Sequence, residues 1–195
     1  SIVHDGLVTG IKEYFKKTGF TQAVIGLSGG IDSAVVCALA AEALGPKNVF
    51  GVSLPSIYSS VHSLTDAEKL AKNIGCCYSV VSLKFIFKTI LMELKNVFGS
   101  DTAPLEVTEE NIQARLRAII LLAMANKQNA LVLSTGNKSE YAVGYCTTYG
   151  DMAGALAPIG DLYKTKVYEL ARYIDSKTNW IPKDVFTKPP SAELR

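Results

Sequence analysis

The sequence carries little charge of either sign, few cysteines and no apolar run long enough to span a bilayer. Charged residues make up 19% of the 195 residues, and the formal net charge is only +2. The basic residues are spread from Lys12 to Arg195, so no dense basic face is expected and binding to nucleic acid is not predicted. With 48% apolar residues, the chain is expected to fold as a single domain over residues 1–195.

The four cysteines do not form a pattern typical of a metal site. Cys37, Cys76, Cys77 and Cys146 include no C-x-x-C pair, and no histidine stands at zinc-ligand spacing from them. Cys37 and Cys146 have apolar sequence neighbours and are interpreted as small buried side chains in a reducing compartment. The N-terminus lacks the apolar segment of a signal peptide, so we expect a cytoplasmic protein without membrane association.

Strand and helix patterns alternate along the chain. An apolar stripe from Ile2 to Phe15, followed by Gly19, predicts a first helix. The pattern then predicts strands at 23–27, 48–54, 77–83 and 130–133, and helices at 32–44, 60–74, 84–98, 108–127 and 161–174. Such alternation is typical of an α/β fold, with a doubly wound parallel sheet and helices on both faces.

Two regions carry more specific expectations. The buried face of the 108–127 helix is predicted to hold Ile112, Leu116, Ile119, Ile120 and Ala123. Residues 141–159 show no clear period, so no element is assigned to them. His4 and His62 have no evident sequence partners and are interpreted as surface or cap residues.

The segment Ser28-Gly29-Gly30-Ile31-Asp32-Ser33 stands between a predicted strand and a predicted helix. Ligands of parallel sheets bind at the carboxyl ends of strands, glycines let the backbone approach a phosphate, and helix N-termini favour anions. Asp32 would repel a phosphate unless a cation lies between them, which favours Mg²⁺. The alternative is a simple helix cap, in which Asp32 or Ser33 bonds the free N–H groups.

The pattern S-G-G-x-D-S after a strand resembles the pyrophosphate-binding loop of the ATP-pyrophosphatases, which have an adenine nucleotide alpha hydrolase-like fold. These enzymes cleave ATP between its α and β phosphates. They include synthetases of NAD, GMP, asparagine and argininosuccinate as well as tRNA-modifying enzymes, so the loop does not identify the substrate. The resemblance implies an ATP-binding segment made of Gly26, Leu27, Ser28, Gly29, Gly30, Ile31, Asp32 and Ser33.

Five further motifs resemble those of one branch, the NAD synthetases. In chain order they are T-E-E-N-I-Q-A-R-L-R at 108–117, S-T-G-N-K-S-E at 134–140, Y-G-D-M-A-G at 149–154, K-T at 164–165 and P-P-S-A-E-L at 189–194. The likeness is closer to the synthetase domain of glutamine-dependent members, a likeness that the segment L-P-S-I-Y-S-S at 54–60 also suggests. The resemblance implies ATP-dependent amidation of deamido-NAD by ammonia through an adenylated intermediate, with release of AMP and pyrophosphate.

The same resemblance implies roles for residues that bind ATP and the metal. Thr135, Lys164 and Ser191 are expected to contact ATP, and Asp32 and Glu140 are expected to bind Mg²⁺. Asp32, Glu140 and Lys164 are the implied catalytic residues. Taken by itself, a lysine at a helix start is more typical of a solvated surface, because the helix dipole disfavours a cation there.

Deamido-NAD is implied to contact Asn111, Arg115 and Glu140. Asn111 and Arg115 lie four residues apart, on one face of the predicted helix, and arginine holds phosphate or carboxylate with two hydrogen bonds. A solvated helix face is the alternative for such residues. Asp151 is interpreted either as a residue that orients nicotinate or ammonia, or as an ordinary turn aspartate.

Some features of the family are absent or left open. Ammonia-dependent synthetases tend to have a lysine where this chain has Thr148 and an aspartate near Ala155, so those contacts are not transferred. Glutamine-dependent members receive ammonia from a glutaminase domain or subunit, and we expect this chain to be a synthetase domain without its natural C-terminal end. The family also implies a homodimer.

Two rival functions predict different features. Another ATP-pyrophosphatase, such as a GMP synthetase subunit or a tRNA-modifying adenylase, would carry other substrate motifs and, for tRNA, a basic face. A non-catalytic nucleotide-binding module would need neither Asp32 nor Glu140.

Overall fold

The computed structural model describes residues 1–57, 59, 61–98 and 106–188. The predicted alternation of strands and helices is confirmed, with boundaries shifted by a few residues. The elements in chain order are α1 (Ile2–Thr18), β1 (Ala23–Gly26), α2 (Ile31–Leu44), β2 (Val49–Ser53), α3 (Val61–Ile74), β3 (Cys77–Val80), α4 (Lys84–Phe98), α5 (Glu106–Gln128), β4 (Leu131–Leu133), α6 (Lys138–Val143), α7 (Lys164–Thr178) and α8 (Lys183–Thr187). A short 3₁₀ turn, Pro46–Asn48, precedes β2.

The described residues form a four-stranded parallel sheet in the order β3-β2-β1-β4. Ala23 of β1 is the register partner of Val49 in β2 and of Leu131 in β4. The chain therefore builds the sheet outward from β1 in one direction through β2 and β3, and later adds β4 on the opposite side. Such a reversal of strand order opens a crevice at the carboxyl ends of the strands, where ligands of open α/β sheets bind.

Both faces of the sheet are covered by helices, as predicted. Ala23 and Ile25 pack into one apolar cluster with residues of α1, α2, α3 and α7, whereas Val24 packs into a second cluster with residues of α4 and α5. The alternation follows from strand geometry, because successive side chains point to opposite faces. Helix α2 is buried along most of its length, which holds the residues at its N-terminus firmly against the sheet.

The first helix begins and ends near the predicted residues, but its buried face differs. Gly19 caps α1 in the left-handed conformation, with φ of 77°, which glycine adopts without strain. Ile2 is 93% exposed, so its place in the predicted apolar stripe is wrong. The surface assignment of His4 is also wrong: its ring is buried, and Nε2 lies 3.0 Å from a Glu42 carboxylate oxygen.

The face predicted for the long helix α5 is partly wrong. Leu116 is buried, but Ile119 is 61% exposed and Ala123 is also exposed. Gln113 and Ala118 lie inside instead. Gln113 is polar and Ala118 is small, so neither adds much to the apolar period, and the period alone does not select the buried face.

Several smaller expectations are also corrected. Cys37 is buried as predicted, but Cys146 is only partly buried, and both are free thiols. Helices α6 and α8 were not predicted, and α7 begins at Lys164 rather than at residue 161. Of the helices in the described ranges, none combines the length and apolar character required to cross a bilayer.

Candidate active site

A cavity of about 950 Å³ opens at the carboxyl ends of β1, β2 and β4. Its walls come from residues 26–33, 52–55 and 133–136, at the ends of those three strands, and from α5 and residues 145–146 and 150–153. This is the edge of the sheet at which the sequence predicts the phosphate site. All eight residues of the predicted segment 26–33 line the cavity.

The glycine loop between β1 and α2 is held in one conformation by close backbone contacts. Gly29 has φ of 77°, and a Cβ atom at this position would lie 2.3 Å from the carbonyl oxygen of Ser63. Within the described part of the chain no side chain caps α2, whose N-cap residue is Gly30. The helix-cap interpretation is therefore wrong: the Ser33 hydroxyl accepts from the Ser28 N–H at 3.3 Å instead.

Asp32, in the first turn of α2, is held by two groups from distant parts of the chain. Lys164 Nζ forms an ion pair with Asp32 Oδ2, and Asn137 Nδ2 donates a hydrogen bond to Asp32 Oδ1 at 2.9 Å. The ion pair explains why a lysine is tolerated at the first position of α7. The negative charge of Asp32 offsets the unfavourable interaction of the Lys164 ammonium with the helix dipole. Both side chains line the cavity.

Asn137 also fixes Glu140, through a reciprocal cap at the start of α6. The Glu140 N–H donates to Asn137 Oδ1 at 3.1 Å, and the Asn137 N–H donates to Glu140 Oε2 at 3.0 Å. Because the fully buried Asn137 bonds both carboxylates, it sets the position of Asp32 relative to Glu140. Sequence reasoning gave Asn137 no role of its own, although N-x-x-E before a helix is a recognisable capping pattern.

The electrostatics of Glu140 favour a nearby cation. Burial raises the pKa of Glu140, and the negative charges of Asp32 and Asp151 act in the same direction. The N–H of Asn137 and the charge of Lys164 oppose that pKa shift. A divalent cation near these carboxylates would relieve both the burial cost and the repulsion.

The donor set fits Mg²⁺ better than a transition metal. Asp32 and Glu140 offer hard oxygen ligands in the same cavity, and Mg²⁺ is usually held by one or two carboxylates together with waters and substrate phosphates. Among the described residues, no group of three or more His, Cys, Asp or Glu side chains is placed to hold a metal. Such a denser cluster is typical of zinc or calcium sites.

The remaining residues expected to bind ATP fall into two groups. Thr135 follows β4 and lines the cavity. Its neighbour Gly136 approaches Tyr141 so closely that a Cβ atom would lie 2.3 Å from the phenol oxygen. Ser191 and the motif at 189–194 lie outside the described residues, as do Tyr58 and Ser60 of the segment 54–60.

Asn111 and Arg115 lie beside the loop that follows α6 and are not among the residues that line the cavity. The Thr147 hydroxyl donates to Asn111 Oδ1 at 2.8 Å, and Arg115 Nε donates to the carbonyl oxygen of Thr148 at 3.2 Å. The two residues share a helix face, as their spacing predicts. Both residues hydrogen-bond the loop at 147–148, and Arg115 is exposed there.

Other residues of the same motif reach the cavity. Glu110 and Arg117 of α5 line it, and Arg117 Nε donates to the carbonyl oxygen of Leu54 at 3.3 Å. Sequence reasoning assigned neither a role. The only sequence signal for Glu110 and Arg117 was their membership of the 108–117 motif. The motif could not show which of its residues face the ligand, because that depends on the rotation of α5 about its axis.

Asp151 contributes a further carboxylate to the cavity wall. Its Oδ1 accepts a hydrogen bond from the Thr147 N–H at 2.6 Å, and its carbonyl oxygen accepts one from the Ser134 hydroxyl at 3.1 Å. Loss of solvent contact raises the pKa of Asp151, against the effect of three backbone N–H groups and Arg117. Asp151 therefore both bonds its own turn and lines the cavity.

The family model described as NAD synthase matches residues 3–195 of this chain. The chain belongs to the NAD synthase family. A glutamine-dependent NAD(+) synthetase of Synechocystis sp. is 52% identical over 189 residues, which cover 97% of this chain and 34% of that protein. The chain thus spans about a third of the length of the glutamine-dependent relatives that it matches.

Solved structures agree with the family and the fold. The glutamine-dependent NAD+ synthetase of Acinetobacter baumannii, in complex with ADP, is 43% identical with a TM-score of 0.91; the match covers 97% of this chain and 36% of that one. The NMN synthetase of Francisella tularensis is 32% identical with a TM-score of 0.89, over 98% of this chain and 75% of that one. The predicted family and its adenine nucleotide alpha hydrolase-like fold are therefore confirmed.

Proposed function

We propose that this chain is the synthetase domain of an NAD synthetase, which uses ATP to amidate deamido-NAD with ammonia. The observation that carries the proposal is the meeting of the glycine loop, the Asp32–Lys164 pair and Glu140 in one cavity at the carboxyl edge of the sheet. Family membership supports the substrate. The non-catalytic module is disfavoured because it would not need two carboxylates held together by a buried asparagine.

The first half-reaction transfers AMP to the substrate. The nicotinate carboxylate oxygen attacks the α phosphorus of ATP, and the bond from that phosphorus to the bridging oxygen of pyrophosphate breaks. The N–H groups of the glycine loop and the Lys164 ammonium stabilise the charge on the departing pyrophosphate, because they are fixed in place before the reaction. Thr135 and Ser191 are proposed as further contacts to ATP.

Asp32 and Glu140 are the residues we propose to hold Mg²⁺, which would neutralise the phosphate oxygens. Asp32 pairs with Lys164. Lys164 would donate to the phosphate oxygens when Asp32 holds the metal, since the two positive charges compete for the same carboxylate. Asn137 bonds both carboxylates and so fixes the position of Asp32 relative to Glu140.

In the second half-reaction ammonia attacks the acyl carbon of the adenylate, and AMP leaves with the electron pair of the acyl–oxygen bond. Ammonium loses one proton to solvent before it attacks, and the attacking nitrogen loses a second proton to solvent as the amide forms. We assign Asp151 to the attraction of ammonium rather than to the binding of nicotinate, because one carboxylate repels another. Asn111 and Arg115 are proposed to hold deamido-NAD, together with Glu140 and the loop that they support.

The assignment of Asp151 predicts a selective kinetic effect. Changing Asp151 to asparagine is expected to raise the KM for ammonium about tenfold, the usual effect of losing one charged hydrogen-bond partner, while the KM for ATP stays within about twofold. Initial rates at varied ammonium chloride and fixed pH test this. Equal changes in both KM values would contradict the assignment and indicate a general disturbance of the loop.

The raised pKa of Glu140 predicts that metal binding depends on pH. A carboxylate binds Mg²⁺ only when it is deprotonated. Because burial raises the pKa of Glu140 above that of an ordinary glutamate, Mg²⁺ affinity in the presence of ATP should fall as the pH falls through that raised pKa. Calorimetric titrations over a pH series measure it, and Glu140→Gln should bind the metal weakly without that pH dependence. An unchanged affinity in the variant would contradict the proposed ligand.

We also propose that the chain assembles as a homodimer. Ile119 and Leu122 expose apolar surface on α5, which is compatible with the homodimer that the family resemblance implies; sedimentation velocity at several concentrations tests it.

We further propose that ammonia reaches this site from a glutaminase domain or subunit, because the 52% identical relative carries glutamine dependence in its name.

The test of function is product formation. The purified protein is mixed with ATP, Mg²⁺, ammonium and either deamido-NAD or nicotinate mononucleotide, and AMP and the amidated product are quantified by chromatography. We expect NAD and AMP in equal amounts from deamido-NAD. Preference for the mononucleotide would move the assignment toward the activity named for the Francisella tularensis structure; no AMP with either acid, in a protein that binds ATP, would overturn the proposal.

A further inference from the structure

A second lysine lies in the wall of the cavity, on the side formed by α3 and α8. Lys188 Nζ pairs with Asp66 Oδ2 of α3, whose side chain is only 3% exposed. Lys188 lines the same cavity as the glycine loop and Lys164. Neither residue has a role in the function proposed above.

The contact between α3 and the glycine loop places this ion pair near the phosphate site. A Cβ atom at Gly29 would lie 2.3 Å from the Ser63 carbonyl oxygen and 2.8 Å from its Cα, so the first turn of α3 packs directly on the loop. Asp66 follows Ser63 by three residues and lies on the same side of the helix, about 4.5 Å further along its axis. The pair therefore lies about one helical turn from the loop.

The charges around the cavity indicate a need for this lysine. Asp32, Glu110, Glu140 and Asp151 line it, against the cations Arg117, Lys164 and Lys188. Arg117 Nε donates to the carbonyl oxygen of Leu54, which follows β2. Lys188 lies on the side of the glycine loop that faces α3. A multiply charged pyrophosphate next to these carboxylates would be stabilised by a cation on each side of the loop, because like charges repel strongly away from water.

The chemistry of lysine allows both contacts at once. An ammonium group has three N–H donors, so Lys188 can keep Asp66 and still donate to a phosphate oxygen. Its backbone is fixed, since the Lys188 N–H donates to the Asp184 carbonyl oxygen at 3.1 Å and Val185 of α8 is buried. The long side chain remains free to adjust by rotation.

We propose that Lys188 is a second phosphate-binding residue, directed at the β and γ phosphates of ATP and at the departing pyrophosphate, and that Asp66 is the residue that positions it. The inference rests on the proposed function and adds a ligand contact to the same site. A purely structural role for the pair, which would neutralise the buried Asp66 and anchor α8 to α3, predicts a different pattern in a double variant.

The experiment measures calorimetric binding of inorganic pyrophosphate with Mg²⁺ and, separately, of AMP. Lys188→Met is expected to weaken pyrophosphate binding about tenfold or more, as for the loss of one charge-assisted hydrogen bond, with AMP binding unchanged within about twofold. The double variant Asp66→Asn/Lys188→Met should remain equally weak. Lys188→Arg, which keeps the charge, should recover most of the affinity.

Three results would overturn this inference alone. Pyrophosphate affinity restored in the double variant would mean that Lys188 serves only to neutralise Asp66. An equal loss of AMP and pyrophosphate binding in Lys188→Met would indicate general disturbance, and no loss at all would remove the contact. Lys164→Met serves as a reference: if the unaltered protein binds neither ligand, or if Lys164→Met binds as well as the unaltered protein, the proposed function fails together with this inference.

Discussion

Replacing Asp32 with asparagine is expected to lower the rate of NAD formation by about 10²- to 10³-fold, the usual effect of removing one preorganised charge-stabilising group. The change keeps the shape of the side chain but removes the negative charge that we propose to bind Mg²⁺. It also releases Lys164 from its ion pair, so affinity for metal-free ATP should hold or rise while Mg²⁺ affinity falls. Initial rates and calorimetry of ATP with and without Mg²⁺ test the two parts separately.

Asp161 provides a matched control for this substitution. It lies in an exposed turn just before α7 and is not among the residues that line the cavity. Asp161→Asn is therefore expected to keep the rate within about twofold, as most surface substitutions do. An Asp32→Asn variant that retained a tenth of the original rate would show that the carboxylate is not essential and would remove Asp32 from the metal site.

Replacing Gly29 with alanine is expected to lower the affinity for ATP about 100-fold and to destabilise the fold by about 1–3 kcal/mol. The backbone there has φ of 77°, and the added methyl would meet the Ser63 backbone at 2.3 Å. Because backbone atoms of α3 cannot rotate away as a side chain can, the loop or the helix must shift. Either movement takes the loop N–H groups off the phosphate position. Calorimetry with ATP and thermal unfolding measure the two effects.

Gly10→Ala is the matched control for the glycine substitution. Gly10 lies within α1, and a Cβ atom there would meet no atom within 4 Å. Alanine in a helix interior is favoured over glycine, so this variant should gain up to about 1 kcal/mol in the free energy of unfolding and bind ATP normally. Equal ATP affinities for Gly29→Ala and Gly10→Ala would show that the close packing of the loop on α3 does not matter for the ligand.

Much of the fold could be predicted because it depends on local patterns. Strand β1 and helix α2 follow from an apolar run, a pair of glycines and a second apolar run, and Gly19 marks the end of α1. Helices α6 and α8 escaped prediction because they have only six and five residues. Helices this short are stabilised mainly by caps and tertiary contacts rather than by an apolar period.

The candidate site was predictable to the extent that motifs mark the ends of strands. The segment 28–33 and Thr135 lie at the carboxyl edge of the sheet, where the strand–loop–helix pattern and the family motifs place them. The side of α5 that meets the ligand was not predictable: Glu110 and Arg117 line the cavity, whereas Asn111 and Arg115 bond the loop at 147–148. Neighbouring helix residues point about 100° apart, so the two sets lie on different faces of α5, and the packing of the helix against the sheet decides which face meets the ligand.

The sequence by itself determined the parallel α/β architecture, the position of the phosphate loop and the family, because each depends on residue types at short spacing. Only the tertiary structure decided which charges meet. Lys164 reaches Asp32 across 132 residues, Asn137 bonds Asp32 across 105, and Lys188 reaches Asp66 across 122. These contacts arise from how α2, α3, α6, α7 and α8 converge at one edge of the sheet, and the direction of a side chain at that edge depends on packing between distant elements.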